Sequence, residues 1–227
     1  MTDLPLTTVE IEPTGSVRSS VIWMHGLGAD AHDFEPIVPE LRLPEALGVR
    51  FVFPNAPIRP VTINNGMRMR AWYDVLSLDL PRQEDPDGVY ASERAIYALL
   101  EREKQRGVSA DRIVLAGFSQ GGAMALHTGL RYPERLAGIL ALSCYLPLAS
   151  RLHSERRPAN QTTPIFMAHG DYDAVIPMRY GQQSAEALEG LGYPVEWSDY
   201  GMGHEVCFQE IRDIAAWLQQ VLAAPTV

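Results

Sequence analysis

At Gly117-Phe118-Ser119-Gln120-Gly121 one serine stands between two glycines. The residues before it, 113–116, are apolar and partly β-branched. Those after it, 120–132, carry apolar residues at helical spacing. Gly-x-Ser-x-Gly where a strand passes into a helix is the pattern of a nucleophile elbow. The serine there occupies a strained turn that lifts its hydroxyl above the sheet edge. Side chains two residues to either side would collide, which explains the glycines. The helix that follows aims free N–H groups and a partial positive charge at the site, so an anion is favoured there.

A serine hydroxyl is a weak nucleophile without a base, and the base needs an orienting group. In elbow folds the chain order is serine, acid, histidine. Of the six histidines, His25, His32, His127, His153, His169 and His204, the last and His153 and His169 follow Ser119 by enough to return from another strand. His204 lies in "DYGMGHEVC", where Gly201 and Gly203 free the loop to carry the ring over the strand ends, and it is the expected base. His169 ends a strand and reads as a structural histidine with a lesser claim to that role. His127 is expected to be packed inside its helix, and His32 and His153 are ordinary polar positions. The acid comes from "HGDYDAVIP". Asp171 follows a glycine and suits a turn-bracing role. Asp173, farther out, is better placed to hold an imidazole from the next loop.

Acyl transfer builds negative charge on a carbonyl oxygen, and each waiting donor is worth roughly 3–4 kcal/mol. The N–H of Gln120, just after the nucleophile, is one candidate. The N–H of Leu27, in "VIWMHGLGAD", is the other, with His25 bracing that loop. The same loop supports a rival reading. "GLGADA" matches the dinucleotide fingerprint, and Glu45 lies near the distance expected of a ribose-binding acid. That reading leaves Ser119, Asp173 and His204 without a role. No His-Glu-x-x-His or Cys-x-x-Cys occurs, so neither a metal nor a cofactor is expected. The run Glu84-Asp85-Pro86-Asp87 reads as a solvated loop. A hydrolase fold that merely binds an apolar small molecule is the competing class, and the intact nucleophile, acid and base argue against it.

These side chains need a frame. The chain has 227 residues, 46% hydrophobic and 21% charged, which is ordinary globular composition. A formal charge of −9 repels phosphate backbones, so nucleic acid is not an expected partner. The N-terminus lacks a secretion pattern, and no apolar run is long enough for stable membrane insertion. The two cysteines, Cys144 and Cys207, are expected to be reduced thiols in a cytoplasmic protein, with a bridge between them left open. Apolar runs at 21–24, 50–53, 113–116, 138–142, 165–168 and 195–198 read as buried strands, with 6–11 as an edge strand. Helical patterns lie near 32–41, 91–106, 120–132, 179–191 and 205–223. The alternation predicts a mostly parallel central sheet with helices on both faces, in a single domain over 1–227. The stretch 54–88 breaks it. Trp72, Tyr73, Val75, Leu76 and Leu78 give that stretch apolar character, so a flexible loop flanking the active site is expected there.

Taken together, "HGLGAD", "FPNAPIRPVT", "AWYDVLSLDLPRQEDPDG", "GFSQGGAMAL", "LALSCYLP", "HGDYDAVIP" and "MGHEVC" resemble the small bacterial carboxylesterases and their relatives, the acyl-protein thioesterases, from about residue 20 to 220. The resemblance implies an α/β-hydrolase fold without a large cap domain. It implies a triad of Ser119, Asp173 and His204 and an oxyanion hole of the Leu27 and Gln120 amides. It also implies an apolar acyl groove beside the tract after "AWYDV"; Trp72, Leu76 and Val175 are our own candidates for its wall. The activity implied is hydrolysis of esters or thioesters of modest chain length through an acyl-enzyme. Details such as "HGLGAD" and "MGHEV" favour a serine carboxylesterase acting on short- to medium-chain esters. Acyl-protein thioesterase or lysophospholipase is the alternative. The expected partner is a small-molecule ester or thioester, and a homodimer is left open.

Overall fold

The computed structural model describes residues 5–77 and 84–223. Leu78 and the first four residues lie outside them. Seven strands form one sheet in the order β1-β3-β2-β6-β7-β8-β9. These are β1 (Thr8–Ile11), β2 (Ser19–Met24), β3 (Val49–Pro54), β6 (Ile113–Phe118), β7 (Gly138–Leu142), β8 (Ile165–Gly170) and β9 (Val195–Tyr200). Every pairing is parallel except that of β1 with β3. β2, β3, β7 and β8 are buried at every residue, which is why they read as unbroken apolar runs rather than alternating ones.

Alternate residues of each strand feed two cores. Ile22, Met24 and Leu115 face one way, with Ile96 and Leu100 of α2 (Pro86–Gln105), Met124 and Leu126 of α3 (Gln120–Arg131) and Leu188 of α5 (Met178–Gly190). Val21, Trp23 and Val114 face the other, with Leu41 of α1 (Ile37–Leu41) and Ile214, Trp217 and Leu218 of α6 (Phe208–Leu222). This is the α/β-hydrolase fold. Among the described residues no cap domain is inserted above the sheet. β3 and β6 flank β2 on opposite sides, so the strand order reverses there and a crevice opens at the carboxyl ends.

Four segments depart from the sequence expectation. The helix expected over 32–41 forms only at Ile37–Leu41, because Pro36 and Pro39 confine regular helix to a single turn. α2 begins five residues before the expected 91, at Pro86: Asp85 caps it by accepting the Gly88 N–H at 2.9 Å, and proline suits the first helical position. The acidic run is therefore not a solvated loop. Asp85 also accepts the Asp74 N–H at 2.8 Å, and Glu84 accepts the Leu148 N–H at 2.7 Å. Within 54–88 lies an antiparallel hairpin of β4 (Ile58–Val61) and β5 (Met67–Arg70). Asn65 and Gly66 turn it at φ of 55° and 74°. The Asn-Gly pair is a hairpin signal, masked by flanking prolines and arginines that do not resemble strand sequence. A short helix, α4 (Ala149–Glu155), was also unforeseen.

Candidate active site

Ser119 sits between β6 and α3 with φ 55° and ψ −122°, a region that side chains avoid. Such a residue costs of order 1–3 kcal/mol and persists only where its surroundings force it. Here the Ser119 N–H donates to Leu142 O of the neighbouring strand at 2.8 Å. A Cβ on Gly117 would lie 2.2 Å from Gly121 C, and one on Gly121 would lie 2.2 Å from Met24 O. Both glycines are thus demanded by backbone-to-backbone contact.

The acid and the histidine come from the carboxyl ends of β8 and β9. Strands lie about 4.8 Å apart, so a residue following β9 must fold back some 14 Å to meet one following β6. Gly170 permits this. A Cβ there would lie 2.3 Å from Gly203 O and 2.5 Å from Met202 O, so the 201–204 loop lies directly on the β8 backbone. The Tyr172 N–H donates to Met202 O at 3.0 Å and secures the crossing. His204 Nδ1 then lies 2.6 Å from Asp173 Oδ2, and its Nε2 lies 2.9 Å from Ser119 Oγ. An ionised carboxylate only accepts, so Nδ1 carries the proton and Nε2 turns a lone pair to the serine hydroxyl. Asp173 is 7% exposed. Its other oxygen, Oδ1, accepts the N–H groups of Val175 and Ile176, each at 2.8 Å. Asp171 is exposed and its N–H donates to Tyr200 O, so it takes the turn position expected of it.

Across the crevice, the β2–α1 loop carries Gly26-Leu27-Gly28. Among the described residues the Leu27 N–H makes no backbone hydrogen bond, whereas the Gly28 N–H donates to Arg70 O. The Gln120 N–H is the first of α3 and lacks an intrahelical acceptor. His25 is buried: its Nδ1–H donates to Gly26 O at 2.7 Å and its Nε2 accepts the Ala56 N–H at 3.1 Å. Burial holds its pKa below the usual imidazole value, consistent with a neutral brace. The Gln120 side chain accepts the Trp72 N–H at 2.7 Å and donates to Tyr73 O at 2.8 Å. Trp72 Nε1 donates to His25 O at 2.9 Å. Both candidate oxyanion arms are thereby tied to the 71–73 segment.

A cavity of about 290 Å³ opens beside Ser119, with Ile63, Tyr73, Val75, Tyr145, Val175 and Tyr180 among its lining residues. Of the three expected wall residues, Val175 is there. Trp72 is fully buried behind the cavity, where it holds the Gln120 side chain, and Leu76 borders a smaller neighbouring hollow instead. Tyr145 and Tyr180 lie far from Ser119 in sequence, and nothing about their local patterns announces them. His127 is buried in α3, where burial drives its pKa down to about 3. His32 is exposed against Glu35, and His153 is exposed on α4. His169 lies beside Asp173, not beside Ser119. Cys144 and Cys207 are both free thiols.

The dinucleotide reading fails on geometry. After Gly26 the chain enters no α-helix until Ile37, so the glycines do not open the helix that a dinucleotide fingerprint requires, and Glu45 is exposed in a short 3-10 helix before β3. Among the described residues no group of three His, Cys, Asp or Glu side chains is arranged to hold a metal, and no helix is long and apolar enough to cross a membrane.

Comparison with known proteins places this architecture. Acyl-protein thioesterase 1 of Neurospora crassa is 42% identical over 214 residues, covering 90% of this chain and 87% of that one. The protein of the same name from Gibberella zeae is 40% identical over 213 residues, covering 90% and 91%. Among solved structures, SOBER1 of Arabidopsis thaliana matches with a TM-score of 0.86 at 32% identity, over 91% of this chain and all of that one. Zea mays acyl-protein thioesterase 2 matches with a TM-score of 0.84 at 29% identity, over 96% and 99%. These relatives are fungal and plant proteins, so the bacterial leaning of the sequence reading is corrected while its family stands. The phospholipase/carboxylesterase family matches residues 7–222, nearly the whole chain, and the chain belongs to that family of hydrolases.

Proposed function

We propose that this chain is a cofactor-free serine hydrolase that cleaves acyl thioesters and esters through an acyl-enzyme on Ser119, with S-acylated protein thioesters preferred over free carboxylic esters. The observation that carries the reading is the Ser119–His204–Asp173 hydrogen-bonded line beside an apolar cavity. The choice of thioester rests on the names of the fungal relatives at 40% and 42% identity.

The acyl carbon is bound against Ser119 with its chain along the apolar wall. Ser119 Oγ forms a bond to that carbon as its proton passes to His204 Nε2. The carbonyl oxygen becomes an oxyanion facing the Leu27 and Gln120 N–H groups, and Asp173 stabilises the imidazolium. Collapse breaks the bond to sulfur or oxygen, and His204 returns the proton to the departing thiol or alcohol. Water then attacks the acyl-serine, gives its proton to His204, and the carboxylic acid leaves with the serine hydroxyl restored.

The test compares p-nitrophenyl butyrate with a palmitoylated cysteine peptide on the purified protein and on Ser119→Ala. Both substrates should be turned over, the peptide with the higher kcat/KM, and the variant should lose at least a thousandfold in kcat. A variant with near-normal turnover removes the mechanism. A clear preference for the short ester returns the carboxylesterase reading.

A further inference from the structure

His169 is the second histidine on the acid. It is the penultimate residue of β8, four residues before Asp173, and its side chain is buried. Its Nε2 lies 2.7 Å from Ile176 O and 3.3 Å from Asp173 Oδ2. A backbone carbonyl can only accept, so Nε2 carries the ring proton. Nδ1 is then a bare lone pair, and it has no partner among the described residues. The ring is hemmed in by two elements. Trp197 of β9 stacks on it with centroids 6.3 Å apart, and Gly181 of α5 approaches so closely that a Cβ there would lie 2.5 Å from Nδ1.

That proton lies where the acid's orientation is decided. Ile176 donates its N–H to Asp173 Oδ1 and accepts His169 Nε2–H through its carbonyl. The ring therefore holds one end of the residue whose N–H, in the preceding peptide, holds the carboxylate, and it faces the Oδ2 that receives His204. Ile176 also lines the cavity beside Ser119. We propose that His169 is a positioning residue for the acid: its Nε2–H fixes the Asp173 carboxylate and the 173–176 turn so that Oδ2 stays aimed at His204. The inference rests on the assignment of Asp173 and His204 made above. It differs from the sequence reading of His169 as merely structural, because it makes the ring's donor, not its bulk, the functional part.

The titratable groups facing Asp173 are His204 from the β9–α6 loop and His169 itself. Trp197 and Gly181 carry no charge, and burial keeps the nearby Cys144 thiol protonated. Removing the His169 donor leaves more of the carboxylate's charge to the imidazolium of His204. The acid limb of kcat/KM should therefore move to higher pH.

The experiment compares His169→Leu with His169→Gln, whose side-chain amide reaches the place of Nε2. Leucine should lower kcat on p-nitrophenyl butyrate by about 10- to 100-fold with KM within about twofold, as seen for other groups that orient a reacting ligand from behind. It should also raise the acid-limb midpoint, and glutamine should restore most of both. Glutamine as slow as leucine, or a slow leucine variant with an unmoved acid limb, overturns the proposal in favour of packing alone. If the leucine variant does not fold, His169→Asn replaces it, since its amide falls short of Nε2 at similar polarity. The low-field proton NMR resonance of His204 Nδ1–H supplies a readout independent of turnover. It should be displaced when the donor is lost and retained with glutamine. An unchanged resonance without the donor refutes the inference even if the chain hydrolyses no ester, whereas loss of Ser119-dependent turnover alone strikes the proposed function.

Discussion

Adding one methyl group at Gly121 should separate the two halves of the proposed oxyanion site. The residue is the second of α3 and its φ is not positive, so alanine suits its backbone. Helix propensity alone would favour the change by about 1 kcal/mol. Sterics oppose it. The new Cβ would lie 2.2 Å from Met24 O, 2.6 Å from Met24 C and 2.7 Å from His25 O, where ordinary contact begins near 3.4 Å. All three are backbone atoms at the end of β2, so no side chain can swing aside. The two backbones must part by about 1 Å. On one side of that contact stands Gln120, adjacent to Gly121, and on the other, two residues past His25, stands Leu27. A 1 Å misplacement of catalytic groups costs about 10²-fold, and loss of one oxyanion donor costs about 10²–10³-fold in kcat. Overpacking of this kind costs about 1–3 kcal/mol of stability, which outweighs the propensity gain. Gly121→Ala should thus lower kcat on p-nitrophenyl butyrate by about 10²-fold or more and lower the melting temperature. Gly190→Ala, at the end of α5 where nothing lies within 4 Å of the new Cβ, is the control and should leave kcat unchanged without lowering the melting temperature. A Gly121→Ala protein with wild-type kcat would refute the argument that this contact sets the spacing of the donors.

Two further outcomes follow from the same geometry. Asp173→Asn should lower kcat by about 10⁴-fold through the wrong imidazole tautomer, while Asp171→Asn, at an exposed position, should stay within about twofold; steady-state kinetics in which Asp171→Asn is the worse would move the acid. His127 is buried with a pKa lowered to about 3. Its folded-state pKa lies below the unfolded value of about 6.5, so the unfolded chain binds the proton first and stability falls as pH drops from about 6.5 towards 3. Urea unfolding at pH 7.5 and pH 5 should show a smaller acid loss in His127→Leu than in the wild type, and parallel losses would exclude this histidine as a cause.

What the chain declares locally is what local physics controls. The apolar runs of β2, β6, β7 and β8 are legible because a strand buried on both faces has no polar positions to alternate with. The elbow is legible because its two glycines answer clashes within a few residues or with the adjoining strand. The hairpin, the early start of α2 and the acidic cap at Asp85 carried readable signals, Asn-Gly and Asp-Pro, but composition outweighed them. Other features exist only in three dimensions. Tyr145 and Tyr180 reach the cavity because the strand order sets β7 beside β6 and because α5 packs against β8. Trp72 left the expected wall for the core because its indole N–H found the His25 carbonyl there. The pairing of His169 with Asp173 was hidden for the same reason: a four-residue interval says nothing until a turn closes it, and which partner a buried N–H finds is decided by the fold around it.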